Sequence, residues 1–162
     1  MTRKKSTRHS KIIGDFGESF VCDSLSKEGF EVSIVDHTGL DLIAYNPDDK
    51  KHLGITVKSR TRDTKEKESV AVNVFSRQKG KDDVEKLNAA CNAFGCEPWI
   101  AVFVENLNGA DLYLTSLGAF DRYHGGKAIE TWKMDEKSKK RYAEDPDVKH
   151  ISIELNTSKW RF

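Results

Sequence analysis

The 162 residues suffice for one domain, and 33% of them are charged, yet 27 lysines and arginines against 26 acidic residues leave a net charge of +1. That balance is unlike histone-like or wholly acidic proteins, and no run approaches the ~18 apolar residues of a membrane span. Three cysteines, Cys22, Cys91 and Cys96, cannot complete a disulfide framework, so we expect free thiols and a cytoplasmic location.

Hydrophobic periodicity predicts alternating helices and strands in one mixed α/β domain over residues 10–162. Residues 1–9 read as a basic, disordered arm, and Ser10 is the expected cap of the first helix. Helices are predicted over 10–27, 82–94 and 135–144, and strands over 30–35, 40–46, 53–60, 69–75, 98–104, 111–115 and 149–155.

The predicted hairpin over residues 40–60 brings polar side chains to one end of a sheet. A symmetric turn at 46–51 pairs Asp41 with Lys58 and residue 43 with Thr56. Directly opposite residues point to the same face, and Thr56 shares that face because it lies two positions before Lys58. Glu18, at the edge of the first helix's apolar stripe, reaches the same place if that helix packs across the sheet.

These residue types suit hydrolysis of a phosphodiester bond. Such a reaction needs a cation that neutralises phosphate charge and lowers the pKa of an attacking water. Mg²⁺ prefers oxygen ligands, usually one or two carboxylates with waters and substrate oxygens. Asp41 and Glu18 supply carboxylates, the backbone carbonyl of Val57 a further oxygen, and Lys58 can orient the water or stabilise charge on the phosphate.

Three ordered segments resemble the motif regions of the PD-(D/E)XK nuclease superfamily: GDFGE at 14–18, GLDLIA at 39–44 and GITVKSR at 54–60. The likeness is closest to members of the Holliday-junction-resolvase-like and restriction-endonuclease-like groups. It covers residues 10–105 and leaves 106–162 as an extension. The resemblance implies a restriction-endonuclease-like α/β fold, a mixed β-sheet flanked by helices with an α-β-β-β-α-β core.

The resemblance also implies an endonuclease that hydrolyses DNA with Mg²⁺ or Mn²⁺. It assigns Glu18 as the helix acid, Asp41 as the main metal ligand and Lys58 as the motif lysine, and it places Thr56 among the catalytic positions. Superfamily members usually carry Glu, Asp or Gln where Thr56 stands, and a hydroxyl is a weaker, neutral ligand. Asp36 or Glu68 is a candidate to replace the lost carboxylate.

A basic window beside these residues suggests DNA as the partner. Between positions 58 and 81 eight lysines and arginines face three acids, a net charge of +5. Together with the basic arm they provide the positive surface that phosphate binding requires. The candidate nucleic-acid contacts are Lys58, Arg60, Arg62, Arg77, Lys79 and Lys81.

Other interpretations of the same residues stay open at this point. Asp41 and Lys58 can form a purely structural ion pair, Glu18 can be an ordinary solvated helix residue, and the basic window can be a solvated loop. The chain can be a catalytically impaired relative that binds nucleic acid without cutting it, which Thr56 favours, or a small α/β interaction protein. The sequence also leaves open whether residues 106–162 carry substrate choice or a homodimer interface.

Overall fold

Helices and strands follow one another along the part of the chain that the structure, a computed structural model, describes: residues 5–62, 71–124 and 127–156. The elements are α1 His9–Lys27, β1 Glu31–His37, β2 Leu40–Asn46, β3 Lys51–Thr61, β4 Ala71–Ser76, α2 Asp83–Phe94, β5 Glu97–Asn106, β6 Gly109–Ser116, α3 Leu117–Phe120, β7 Ile129–Lys133, α4 Glu136–Glu144 and β8 Val148–Glu154. Among these residues, no helix combines the length and the apolar character needed to cross a bilayer.

The strands form a six-stranded mixed sheet in the order β1-β2-β3-β5-β6-β8 and a separate pair, β4 with β7. Neighbours in the large sheet are antiparallel except β3 and β5, which are parallel. A parallel connection must cross over the sheet, and here it does so through β4 and α2.

Alternation along the central strand β5 divides the core between the two faces of the large sheet. Ile100 and Val102 pack on the face covered by α2, while Ala101 and Phe103 pack on the face covered by α1. A strand buried on both faces is apolar at every position, which is why residues 98–104 show so little polar alternation. The β4–β7 pair adds Trp132, fully buried, to the α2 side.

The predicted register between β2 and β3 is wrong by two residues. Asn46 pairs with Lys51 and Leu42 with Ile55, so Asp41 falls opposite Thr56 and not opposite Lys58. The reason is the turn, which is a tight loop over residues 47–50 in which Lys50 takes a positive φ of 59°. A shift of two residues keeps every side chain on its predicted face.

The start of the first helix also differs from the prediction. The N-cap is Arg8, with no side-chain cap, and His9 inside the predicted arm is already helical, so Ser10 does not cap α1. A turn precedes the helix, in which the Ser6 hydroxyl accepts the Arg8 N–H at 3.2 Å. Residues 1–4 of the arm lie outside the described residues, as do positions 69–70 of the predicted fourth strand.

Two short elements, α3 and β7, were not predicted from the sequence. α3 has only four residues, capped by the Ser116 hydroxyl, which accepts the Ala119 N–H at 3.1 Å. β7 alternates buried Glu130 and Trp132 with more exposed neighbours, and a buried glutamate hides the apolar alternation expected of a strand.

Candidate active site

Asp41, half-buried near the start of β2, is the centre of the site. One of its carboxylate oxygens, Oδ2, accepts two hydrogen bonds from β3: from the Thr56 hydroxyl at 3.0 Å and from the Val57 backbone N–H at 2.6 Å. Gly39, with φ +89°, makes the turn before Asp41 and packs so closely on Lys86 that a side chain there would overlap backbone. Backbone geometry and hydrogen bonds therefore fix this carboxylate.

Glu18, on α1, is also half-buried, and its carboxyl group interacts electrostatically with that of Asp41. Burial raises the pKa of the Glu18 carboxyl above its ordinary value, and the negative charges of Asp41 and Asp15 raise it further, while Lys11 lowers it. Lys11 itself pairs with Asp15 at 3.2 Å. In the described part of the chain, the Glu18 carboxylate has neither a hydrogen bond nor an ion pair, so no group at contact distance neutralises its charge.

The position of Glu18 depends on a close approach of α1 to β3. Gly17 is buried, and a Cβ on it would overlap the Ser59 hydroxyl and touch Phe103. The Ser59 hydroxyl oxygen is itself buried without a hydrogen-bond partner. The absence of a side chain at position 17 lets the helix backbone come close to β3, one residue before Glu18.

Lys58 is half-buried on the same face of β3 as Thr56. Its Nζ lies 5.9 Å from the ring centroid of the buried Phe75, a cation–π contact from β4. No acidic residue among those described lies within 4 Å of this ammonium group, so the structural ion pair between Asp41 and Lys58 is not formed. The charge of Lys58 is available to a substrate.

The arrangement suits Mg²⁺ or Mn²⁺ in number and type of ligand. No group of three or more His, Cys, Asp or Glu side chains able to hold a metal occurs in the described ranges. One or two carboxylates are nevertheless the usual protein share of a magnesium site, in which waters and substrate oxygens complete the coordination. Glu18 and Asp41 are the residues that would hold such an ion, with the Val57 carbonyl as the further oxygen predicted from the sequence.

Neither of the two acids expected to replace the missing one, Asp36 and Glu68, has a described contact with this site. Asp36 is exposed on β1 and makes no hydrogen bond or ion pair with any described residue. Glu68 lies outside the described residues, as do Lys65 and Lys67 of the basic window.

The remaining predicted nucleic-acid contacts fall into two groups. Arg60 donates to the carbonyls of Asn73 at 2.7 Å and Ser59 at 2.8 Å, and burial lowers its pKa. Arg77 Nε lies 3.2 Å from Asp82 and 3.7 Å from buried Glu130. These two guanidinium groups therefore hold the fold together.

The second group consists of exposed lysines. Lys79 and Lys81 are exposed in the loop between β4 and α2, with no ion pair in the described part of the chain. Arg62, just beyond β3, donates its backbone N–H to the Glu105 carbonyl at 2.8 Å. Of the six predicted contacts, Lys79 and Lys81, with Lys58 beside the carboxylates, have the properties expected of phosphate-binding cations.

One polar cluster near the site was missed from the sequence. Glu105, at the end of β5, accepts the Thr61 hydroxyl at 3.0 Å, and His9 Nε2 lies 2.9 Å from the same carboxylate oxygen. Lys5 Nζ approaches it at 4.0 Å. The cluster fastens the start of α1 to the ends of β3 and β5, and no local sequence signal reveals a contact between residues 96 positions apart.

The architecture is similar to that of a solved structure, the Holliday junction resolvase Hjc of Archaeoglobus fulgidus, an archaeal hyperthermophile. The TM-score is 0.52 at 20% sequence identity, and the match covers 77% of this chain and 90% of the resolvase chain. The predicted fold class, a mixed sheet flanked by helices as in restriction-endonuclease-like proteins, is thereby confirmed. No protein-family model and no curated protein sequence matches the chain.

Proposed function

We propose that this chain is an endonuclease that hydrolyses DNA phosphodiester bonds with a divalent cation bound between Glu18 and Asp41. The observation that carries the proposal is the electrostatic interaction between these two half-buried carboxyl groups, of which Glu18 has no hydrogen bond or ion pair among the described residues. Two like charges held together in a partly desolvated place repel each other, and a bound cation removes that cost. The fold shared with a Holliday junction resolvase supports a nuclease and a DNA substrate.

Each side chain has a distinct part in the proposed reaction. When bound, Mg²⁺ or Mn²⁺ supplies charge neutralisation at the phosphate and a more acidic water. Glu18 and Asp41 hold the ion, and the hydrogen bonds from Thr56 and the Val57 N–H keep the Asp41 carboxylate in one orientation. Lys58, with no acidic partner in the described residues, stabilises negative charge that develops on the phosphate.

Exposed cations extend the proposed DNA surface beyond these residues. Lys79 and Lys81 lie in the loop that follows β4, the strand whose Phe75 contacts Lys58. Because phosphate contacts release counterions, we expect binding to DNA to weaken steeply as salt is added.

Cleavage assays with supercoiled, branched and single-stranded DNA test this function. With Mg²⁺ or Mn²⁺ the unaltered protein should cut at least one of these substrates, and Asp41→Ala and Lys58→Ala should each abolish cutting. Glu31→Ala and Lys137→Ala serve as matched controls, because both residues are exposed and make no ion pair among the described residues. Cutting that persists in Asp41→Ala contradicts the assignment.

A second candidate function is binding of nucleic acid without cleavage. The observation that favours it is the buried Thr56, 3% exposed, at the position where superfamily members usually carry an acid. Salt-sensitive DNA binding with no cutting under any of the metal conditions identifies this function. If the protein neither binds nor cuts nucleic acid, the remaining interpretation is an α/β interaction protein.

A further inference from the structure

Thr56 and Asp41 form a hydrogen-bonded pair, and such a pair differs in its chemistry from two metal ligands that lie side by side. We propose that Thr56 is a positioning residue: its hydroxyl donates to Asp41 Oδ2 and presents Oδ1 to the cation, and Thr56 does not bind the cation itself. This inference rests on the proposed function and specifies how its metal site is built. It follows from the hydrogen bonds, the burial and the sheet geometry of the two residues.

Hydrogen bonds satisfy one oxygen of the Asp41 carboxylate, Oδ2, completely. Oδ2 receives the Thr56 hydroxyl at 3.0 Å and the Val57 N–H at 2.6 Å, so both of its lone-pair directions are in use. No described donor contacts Oδ1. Two donors on one oxygen stop rotation of the carboxylate group, and the other oxygen then has a fixed direction.

Burial separates Thr56 from the expected path of a hydrated ion. Thr56 is 3% exposed, whereas Asp41 and Glu18 are both half-buried. Mg²⁺ gives up its waters reluctantly and usually keeps several of them in protein sites. A hydrated ion therefore meets the two carboxylates, while the Thr56 hydroxyl stays behind Asp41.

The alternation of side chains between the two faces of β3 also separates Thr56 from Glu18. A Cβ on Gly54 would meet Cys91 of α2, and Lys58 contacts Phe75 of β4, so Thr56 between them points to the α2 side. Glu18 comes from α1, on the opposite side of the sheet. Asp41, opposite Thr56 in the register, shares the face of Thr56, so its neutral donor and its acidic neighbour belong to different elements, β3 and α1.

The consequence is a site with two carboxylates and a hydroxyl in place of three carboxylates. A hydroxyl adds no negative charge beside the half-buried carboxylates of Glu18 and Asp41. The site gains a fixed Asp41 without a third like charge. Its affinity for a divalent cation then depends on the orientation of Asp41, and Thr56 controls that orientation.

The first test uses the metal-free protein and measures unfolding of Asp41→Ala, Thr56→Val and the double variant in the presence of a chelator. If the hydroxyl binds Asp41 in the absence of metal, each single change lowers the folding equilibrium constant. The factor by which the double variant lowers this constant is then about tenfold smaller than the product of the factors for the two single variants. Additive losses overturn the proposal, since a hydroxyl that only ligates metal has no partner to lose here.

The second test measures Mn²⁺ binding by electron paramagnetic resonance. Thr56→Ser, which keeps the hydroxyl, should bind Mn²⁺ as the unaltered protein does, and Thr56→Val should bind it about tenfold more weakly. The matched control is Thr115→Val, because Thr115 is also buried (1% exposed) and its hydroxyl donates at 3.0 Å to the Asp147 carbonyl, in a different part of the fold.

The outcomes separate this inference from the function on which it rests. Equal Mn²⁺ affinity in Thr56→Val and the unaltered protein overturns the positioning role but leaves the metal site in place. An unaltered protein that binds no Mn²⁺ overturns the metal site and the positioning role together. If Thr56→Val fails to fold, Thr56→Ala and Thr56→Ser supply the same comparison.

Discussion

Gly17 and Ser59 touch where α1 crosses β3, and the contact leaves no room for a Cβ on the helix. The Ser59 hydroxyl oxygen in this contact is buried and has no hydrogen-bond partner. A buried hydroxyl without a partner costs free energy, so the contact is not optimal for stability. It places the helix backbone close to the sheet one residue before Glu18.

Substitution of Gly17 by alanine should destabilise the protein, and removal of the Ser59 hydroxyl should reverse the effect. The added methyl group overlaps Ser59 Oγ, and overpacking of this kind costs about 1–3 kcal/mol. The next nearest atom, the Phe103 Cβ at 3.4 Å, is at ordinary contact distance, so Gly17→Ala with Ser59→Ala should recover most of the loss. Chemical denaturation of the four proteins measures the changes.

Ser59→Ala alone is the control for this pair, and we expect it to be neutral or slightly stabilising, because it removes an unpaired buried oxygen. Equal stability of Gly17→Ala and the unaltered protein would show that α1 moves away from β3 at no cost.

Glu18→Gln should raise the thermal stability of the metal-free protein at neutral pH. Because the folded-state pKa of Glu18 is raised, the penalty on its charge is absent below the unfolded value of 4.5, grows as the pH rises through the folded pKa, and is full at pH 7.5. We expect a gain in Tm of about 1–2 °C at pH 7.5 and none at pH 4. Differential scanning calorimetry in a chelating buffer measures it.

The same variant should lose its response to Mg²⁺. A ligand that binds only the folded state raises Tm by mass action, so added Mg²⁺ should stabilise the unaltered protein and not Glu18→Gln. A similar Tm increase with Mg²⁺ in both proteins would exclude Glu18 as a ligand.

Lys79→Ala with Lys81→Ala should weaken DNA binding without lowering stability. Both side chains are exposed, and if each neutralises one phosphate, the slope of log affinity against log salt falls by about 0.9 per lysine. Fluorescence anisotropy over a series of salt concentrations gives this slope. An unchanged slope would place the DNA elsewhere on the surface.

Arg77→Ala, in the same region of the chain, should lower stability without changing the salt dependence of DNA binding. This change removes the partner of Asp82 and of buried Glu130, whose pKa burial already raises, and should cost about 1–3 kcal/mol of stability. At a temperature where the variant is folded, we expect its salt slope for DNA to match that of the unaltered protein. A fall in slope would make Arg77 a phosphate contact.

Cys91 should resist alkylation in the folded protein more than Cys22 and Cys96 do. Burial raises the pKa of the Cys91 thiol to about 11, and only the thiolate reacts. The thiol lies 3.7 Å from the Gly54 carbonyl and is 1% exposed. Iodoacetamide labelling at pH 7.5, analysed by peptide mass spectrometry, should show Cys91 modified only after denaturant is added. If Cys91 is labelled as fast as Cys96 in the folded protein, α2 opens readily.

Local patterns predicted most elements of the fold, because apolar periodicity extends over whole helices and strands. The second helix was predicted over 82–94 and spans Asp83–Phe94, with Asp82 as its N-cap. The predicted register between β2 and β3 was wrong, because register depends on the exact turn. Lys50, with its positive φ, shortens the loop and shifts the pairing by two residues.

The candidate site was predictable in composition and not in detail. Glu18, Asp41 and Lys58 could be selected because carboxylates and a lysine at these positions suit phosphodiester chemistry. The bond from Thr56 to Asp41 follows from the corrected register and was not visible without it. Arg60 and Arg77 have the same charge as Lys79 and Lys81 in the sequence, and only their partners in space distinguish structural cations from free ones.

The single parallel pairing in the large sheet bears on the order in which the protein folds. Leu53 on β3 pairs with Glu97 on β5, 44 positions away, whereas the two hairpins that join β1, β2 and β3 close over short turns. Contacts between distant residues form slowly, because the intervening chain loses entropy before they are gained. Asp41, Thr56 and Lys58 all belong to the rapidly closing hairpins, and Glu18 to the helix just before them. The second half of the chain should therefore join this part late in folding.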